Sequence, residues 1–266
     1  LILWFRNNDT MAGLIVFSDI DGTILDVKRY SFEDSLRAIQ RLIGMDIPLI
    51  MVSSKTHSEI MKLCGALGLG NPFVFENGAG IGFADGSYIL LGKDIQELSN
   101  HKTIIRAMVK NCIWVDDIPV QELSLYTGLS HDDVTLMLQR KASLLFMAEQ
   151  LPTTITDINS SIAEYGIAIT TGGKFFTVQD SRVDKGRAVQ YIKNLFQNRY
   201  NDMYTIGIGD GYNDIDMFNA VDEAYFVGDD TLFISIQGQC NKVTMTQRKG
   251  PDGFSDIINM ITQPNR

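Results

Sequence analysis

Apolar positions along this chain alternate between short solid runs and longer amphipathic stretches. Leu14-Ile15-Val16-Phe17, residues 47–52 and Phe73-Val74-Phe75 are continuous apolar segments of strand length. Between them, Leu36, Ile39, Leu42 and Ile43 recur at helical spacing over residues 32–43. A second helix is predicted over residues 56–67, closed by Gly68 and Gly70. Strands alternating with helices imply a parallel sheet with right-handed crossovers. The rhythm changes near Gly82. From there to residue 178 the elements are shorter and mixed: 104–109, 113–115, a helix from Ser130, 143–147, a helix over 156–165, and strands over 166–170 and 174–179. After Asp184 the parallel rhythm returns with a helix over 185–196, a strand over 203–208, a helix over 215–220 and a strand over 224–227. The economical reading is an α/β fold in which one domain interrupts another. The core takes residues 11–82 and 180–266, and an α+β insert takes 83–179. Residues 1–10, ahead of Met11, are set aside as an upstream extension.

Composition narrows the classes. With 45% hydrophobic and 21% charged residues among 266, the chain has the ordinary balance of a protein that buries a core. A formal net charge of −9 without a long basic run argues against a nucleic-acid surface, so an anionic substrate must meet a local cluster of cations. Cys64, Cys112 and Cys240 lack C-x-x-C spacing, which argues against a disulfide framework or zinc site and fits a reducing cytoplasm. No apolar stretch approaches the roughly 20 residues of a membrane helix.

The chemistry concentrates in Asp19-Ile20-Asp21-Gly22-Thr23, directly after the first apolar run. Side chains at i and i+2 of an extended segment point the same way, so Asp19 and Asp21 converge on one volume. Paired acids beside a Gly-Thr turn can hold Mg²⁺ and attack phosphorus. Three more clusters fall at strand ends or the helix starts that follow, the edge where open α/β sheets bind ligands. Ser53 reads most simply as a helix N-cap, and its hydroxyl also suits a phosphate oxygen. Lys55 beside it reads as a phosphate contact or a solvated side chain. Lys185 opens a helix, where a cation is unfavourable for the macrodipole, and either neutralises phosphate and a nearby nucleophile or forms an ordinary ion pair. In Gly209-Asp210-Gly211-Tyr212-Asn213-Asp214, Asp210 suits a hard divalent cation, and Asn213 and Asp214 can bind it or orient its waters.

Together these four motifs resemble those of the haloacid dehalogenase superfamily of Mg²⁺-dependent phosphatases, over residues 14–261. The resemblance implies a Rossmann-like parallel core with an inserted α+β cap. It implies Asp19 as nucleophile, Asp21 as general acid and base, and Ser53 and Lys185 on the phosphoryl oxygens. Mg²⁺ would be held by Asp19, the main-chain carbonyl of Asp21, Asp210 and the nearby Asp214. Ser53-Ser54-Lys55-Thr56, Glu76-Asn77-Gly78-Ala79, Thr127-Gly128-Leu129-Ser130, Gly172-Gly173-Lys174-Phe175 and the stretch from Gln247 to Gly253 are similar to the mannosyl-3-phosphoglycerate phosphatases within it. Several of those carry Arg where Lys174 stands, which keeps the charge but loses the bidentate fork. On this resemblance Ser54, Lys55, Lys174, Arg248 and Lys249 contact a small phosphorylated sugar-glycerate. The expected protein is a cytoplasmic monomer or homodimer without nucleic-acid or membrane partners, and its product is the compatible solute mannosylglycerate. A glucosyl analogue, another sugar phosphate, a phosphomutase reaction and a non-catalytic phospho-sugar-binding module are the alternatives. His57, His101 and His131 lack metal-ligand spacing and read as surface or helix residues; Met108, Met137, Met147, Trp114 and Tyr126 read as packing.

Overall fold

The first apolar run is strand β1 (Leu14–Ser18), with all five residues buried. Helix α1 (Glu33–Gly44) turns Ala38, Ile39 and Leu42 inward. Then come β2 (Leu49–Met51), α2 (His57–Leu67) and β3 (Phe73–Phe75). Helix α2 starts on a reciprocal capping box between Thr56 and Glu59 and ends where Gly68 turns left-handed. A hairpin of β4 (Gly80–Gly82) and β5 (Tyr88–Leu90) follows. Next are α3 (Ile95–Ser99), α4 (Lys102–Met108), β6 (Ile113–Trp114), α5 (Val120–Thr127), α6 (His131–Met137), β7 (Ser143–Met147), α7 (Ile155–Ile162), β8 (Ile167–Gly172) and β9 (Phe175–Asp180). The chain closes with α8 (Lys185–Gln197), β10 (Tyr204–Gly209), α9 (Ile215–Ala220), β11 (Glu223–Phe226), α10 (Asp230–Gln237), β12 (Thr244–Met245) and α11 (Gly250–Thr262). This computed structural model describes residues 13–149, 151–197, 199–200 and 202–263. The extension assigned to residues 1–10, and Met11 with it, lies outside the described residues.

The core is a parallel sheet of five strands in the order β12-β11-β10-β1-β2. Alternation along β1 divides its apolar residues between two layers. Leu14 and Val16 join Ile39, Leu42 and Ile258 under α1 and α11, whereas Ile15 and Phe17 join Val189, Ile192 and Met217 under α8 and α9. Val52, just after β2, makes one parallel bridge to Val74 of β3, and β3 pairs antiparallel with β4. Strand β5 belongs to that small antiparallel sheet, so residues 88–90 lie with β3 and β4, beyond the boundary at 82 drawn from the sequence.

The inserted unit is an antiparallel sheet in the order β6-β7-β9-β8. Leu144 and Phe146 pack with Ile105, Ile158 and Ile162 of α4 and α7 on one face. Leu145 packs with Leu123, Val134 and Met137 of α5 and α6 on the other.

Asp180 ties the two crossings between core and insert. Its carboxylate is 1% exposed and accepts the Lys93 N–H at 3.1 Å and the Nε and one Nη of the Arg182 guanidinium at 3.0 and 2.8 Å. Arg182 holds the Asp180 carboxyl down at about 2 in spite of burial, with the Arg182 and Lys93 N–H groups assisting. A carboxyl depressed in the folded state adds stability above the unfolded value of about 3.9, and that stability is lost as pH falls toward the folded value. Asp180→Asn should therefore cost about 2 kcal/mol near neutrality, with the gap to the parent closing between about pH 4 and 2. Denaturant unfolding at stepped pH reads this, and a constant gap across the range would show that Asp180 acts through shape alone.

Candidate active site

In the core sheet, β2 lies to one side of β1 while β10, β11 and β12 lie to the other. The loops after β1 and β10 therefore part, and the crevice between them is the binding position of such a sheet. Asp19 follows β1, Asp210 follows β10, and the loop bearing Ser53, Ser54 and Lys55 follows β2. Lys185, the first residue of α8, is directed to the same place.

Lys185 is 1% exposed, and its ammonium donates to Asp19 Oδ1 at 2.5 Å and to Asp214 Oδ1 at 2.6 Å. The second oxygen of Asp214 accepts the Asp210 and Gly211 N–H groups, each at 3.0 Å. Asp214 is thus engaged on both oxygens and sets the Asp210 loop against Lys185. Two glycines make room. At Gly22 (φ +79) a Cβ would stand 2.2 Å from Asp210 Oδ2, and at Gly78 (φ +98) it would stand 2.1 Å from the Asp184 carbonyl. The Glu76-Asn77-Gly78 turn can therefore press against the start of α8. Glu76, itself at φ +50, is fully buried and accepts the Lys141 and Ala142 N–H groups at 2.7 and 3.0 Å and the Ser143 hydroxyl at 2.5 Å.

Electrostatics mark the cluster as short of positive charge. Burial pushes the Asp19 carboxyl well up and outweighs Lys185, and Asp214 and Asp210 push it further. Burial likewise raises Asp210, to about 7, with Asp214 adding to it against Lys185. Burial alone would lower Lys185, but Asp19 and Asp214 reverse that and hold its ammonium protonated. Carboxylate oxygens of Asp19, Asp210 and Asp214 lie within 4.8 Å of one another. Three hard oxygen donors with one ammonium among them can hold a divalent cation, and Gly22 lets the Asp210 carboxylate come close to the β1 loop that carries Asp19 and Asp21.

A family model described as haloacid dehalogenase-like hydrolase matches residues 16–127 and 118–258. The chain belongs to that family. It is 33% identical over 224 residues to a glucosyl-3-phosphoglycerate/mannosyl-3-phosphoglycerate phosphatase of Persephonella marina, covering 79% of this chain and 82% of the relative. A protein of the same description from Methanococcoides burtonii is 28% identical over 229 residues, covering 80% and 84%. A solved structure from Thermoplasma acidophilum superposes with a TM-score of 0.70 at 16% identity, over 94% of this chain and 98% of that one, a likeness of fold.

In this hydrolase a cavity of about 670 Å³ runs from the acidic cluster to the insert, lined among others by Asp19, Asp21, Asp210, Ser54, Lys55, Arg140, Lys174 and Phe175. Ser53 lies beneath its wall, 1% exposed, with its hydroxyl accepting the Lys55 N–H at 3.2 Å. The N-cap of α2 is Thr56, so the alternative reading of Ser53 as that cap does not hold. Lys55 is buried against Asp21 and is not a solvated side chain. Lys174 lines the same cavity from the insert, and its ammonium donates to the Tyr126 and Thr127 carbonyls at 2.9 and 3.0 Å. Arg248 and Lys249 fall outside the cavity lining because acids near them in space take their charge. Arg248 pairs with Asp252 and Asp256 beside a separate cleft, and Lys249 reaches Asp229 at 2.9 Å.

Arg140 belongs to none of the sequence motifs, yet its guanidinium donates to the Ser54 carbonyl at 3.0 Å and the Ser143 hydroxyl at 2.6 Å. It sits in an irregular link after α6, with no local pattern to point at it. His57 is also more buried than expected, its ring 5.4 Å from Phe73 and 5.3 Å from Tyr88. Trp114, by contrast, packs on Phe146 as the sequence predicts.

Lys185 carries the sharpest stability consequence. Lys185→Met strands two buried carboxylates and should cost about 3–5 kcal/mol by chemical denaturation without divalent cation. Adding Asp214→Asn should recover part of that loss, since one stranded charge is then gone. A mild loss from the single change would mean that Asp19 and Asp214 are held by other partners.

Proposed function

We propose that this phosphatase is Mg²⁺-dependent and removes phosphate from a hexosyl-3-phosphoglycerate, mannosyl-3-phosphoglycerate foremost, to give mannosylglycerate. The observation that carries the reading is one cavity lined both by Asp19 and Asp210, with Lys185 bonded to Asp19 behind them, and by Lys174 of the insert. An ammonium has three N–H donors, and Lys174 spends two on carbonyls, so one remains for the carboxylate of a bound glycerate. Both relatives named above are described for the glucosyl and the mannosyl ester, which makes the glucosyl compound the second candidate.

In this reading the Asp19 oxygen not engaged by Lys185 attacks phosphorus in line, and the P–O bond to the glycerate breaks. Asp21 gives its proton to the departing oxygen, then takes one from the water that hydrolyses the aspartyl-phosphate. Lys185, with Ser53 and Ser54 nearby, balances the equatorial oxygens. Mg²⁺, held by Asp19, Asp210 and the Asp21 carbonyl with Asp214 in support, would neutralise charge on the transferring group. The insert over 83–179 serves as cap on a core of 11–82 and 180–266, with β5 staying on the core side, and shields the reacting centre from water. A cytoplasmic setting, as monomer or homodimer, belongs to the same proposal. It is supported by the free thiols Cys64, Cys112 and Cys240. Among the described residues no helix is long and apolar enough to cross a membrane.

Phosphate release with Mg²⁺ from mannosyl-3-phosphoglycerate, its glucosyl analogue, mannose 6-phosphate and 3-phosphoglycerate tests the substrate. The mannosyl ester should give the highest kcat/KM, and Lys174→Met should raise KM for both glycerate esters by about tenfold while sparing mannose 6-phosphate. Preference for mannose 6-phosphate would reject the glycerate reading. Asp19→Asn should lower turnover by at least about three orders of magnitude with an unchanged far-ultraviolet spectrum.

A further inference from the structure

Lys55 is among the residues expected to touch substrate, yet its surroundings point elsewhere. Its side chain is 8% exposed, with the ammonium 3.0 Å from Asp21 Oδ1, 3.2 Å from the Tyr30 hydroxyl and 3.8 Å from Glu59 Oε1. Three oxygens thus face the three donors of the ammonium, two at hydrogen-bond distance and one as an ion-pair partner. The anchors are themselves held. Glu59 accepts the Thr56 N–H at 2.8 Å through its other oxygen. Tyr30, at φ +49, turns its ring over the ammonium at 5.2 Å. The loop is also clamped from the insert, since the Thr56 hydroxyl donates to the Leu136 carbonyl at 2.9 Å and Arg140 donates to the Ser54 carbonyl at 3.0 Å. The Asp21 side chain is 37% exposed and lines the cavity. A short carboxylate in such a place has rotamers to choose from, and Lys55 is the cation that selects one.

We infer that Lys55 is a positioning residue: anchored by Glu59 and Tyr30, it holds the Asp21 carboxyl in the orientation that serves the leaving oxygen, and it does not contact the phosphate. The inference rests on Asp21 acting as the general acid of the function proposed above. In the step concerned, the bond from Asp19 to phosphorus forms, the bond from phosphorus to the alcohol oxygen breaks, and the Asp21 proton passes to that oxygen.

Leaving groups separate positioning from phosphate binding. p-Nitrophenyl phosphate expels a phenolate that needs no proton, whereas an alkyl phosphate expels an alkoxide that does. The parameter to compare is kcat/KM, which ends at departure of the alcohol and leaves out the later hydrolysis of the phosphoenzyme. Lys55→Met should lose about 30- to 100-fold on whichever alkyl ester gives the highest kcat/KM in the phosphate-release assay and less than about threefold on the aryl ester. Lys55→Arg should recover most of the alkyl rate. Glu59→Gln keeps an acceptor for Thr56 but removes the anchoring charge, so it should show the same pattern more weakly. The aryl rate doubles as a check that each variant is folded. Equal losses on both esters would place Lys55 on the phosphate and overturn the inference, as would unchanged rates. Asp21→Asn distinguishes the two levels. If it shows the alkyl-selective loss and Lys55→Met does not, only the inference fails. If Asp21→Asn loses both esters equally, the acid role falls and the inference with it.

Discussion

Taking an ammonium and two carboxylates out of water costs several kcal/mol for each ion, and the cost is met only when the charges lie close and their remaining hydrogen-bond positions are filled. Lys185, Asp19 and Asp214 meet that condition, and much of the local fold follows from it. Asp214 must reach back beneath its own loop, so the turn after β10 is tight and its two leading N–H groups bind the same carboxylate. The start of α8 must come close to the end of β1, so the chain opposite it has glycine at Gly78 and a left-handed turn at Glu76 and Asn77. One ammonium stands among three carboxyl groups, so Asp19, Asp210 and Asp214 together offer oxygen donors that could hold a divalent cation.

The parts of this arrangement legible in the sequence are those set by local chemistry. Solid apolar runs give β1, β2 and β3, and the acids that follow β1 and β10 stand where chain order puts them. Thr56 and Glu59 announce the start of α2 through a capping pattern, and a glycine announces its end. Helix α11 escapes notice because it opens on Gly250-Pro251 and carries Gly253, and the β4–β5 hairpin because Gly80 and Gly82 leave no periodic face. The outer site is harder to read. Arg248 and Lys249 look like free cations in the sequence, but their acidic partners are brought to them only by α11 and the start of α10. Arg140 has the opposite history: nothing around it in sequence suggests a site, and long-range packing delivers it to Ser54 and Ser143.

Contacts between the insert and the core cluster on one edge. Thr56, Ser58 and Lys62 of the α2 region meet Leu136, Gln139 and Asp133 of the insert at 2.9, 2.7 and 2.7 Å. These bonds fall on one side of the cavity, next to the loop that carries Ser53 to Lys55. Val27 and Tyr212, which also line the cavity, stand exposed.

Glu76 gives the pairing of the two units a modular rule. Its carboxylate has no water to fall back on and takes its donors from residues 141–143 of the insert. An insert exchanged between members of the family brings its own backbone to that position, and a graft that ends short of residue 140 or misses the register by one leaves a buried anion unanswered. The insert in this architecture therefore transfers as a block, in which the segment from Lys141 to Ser143 must find an acid at the position of Glu76 on the receiving core.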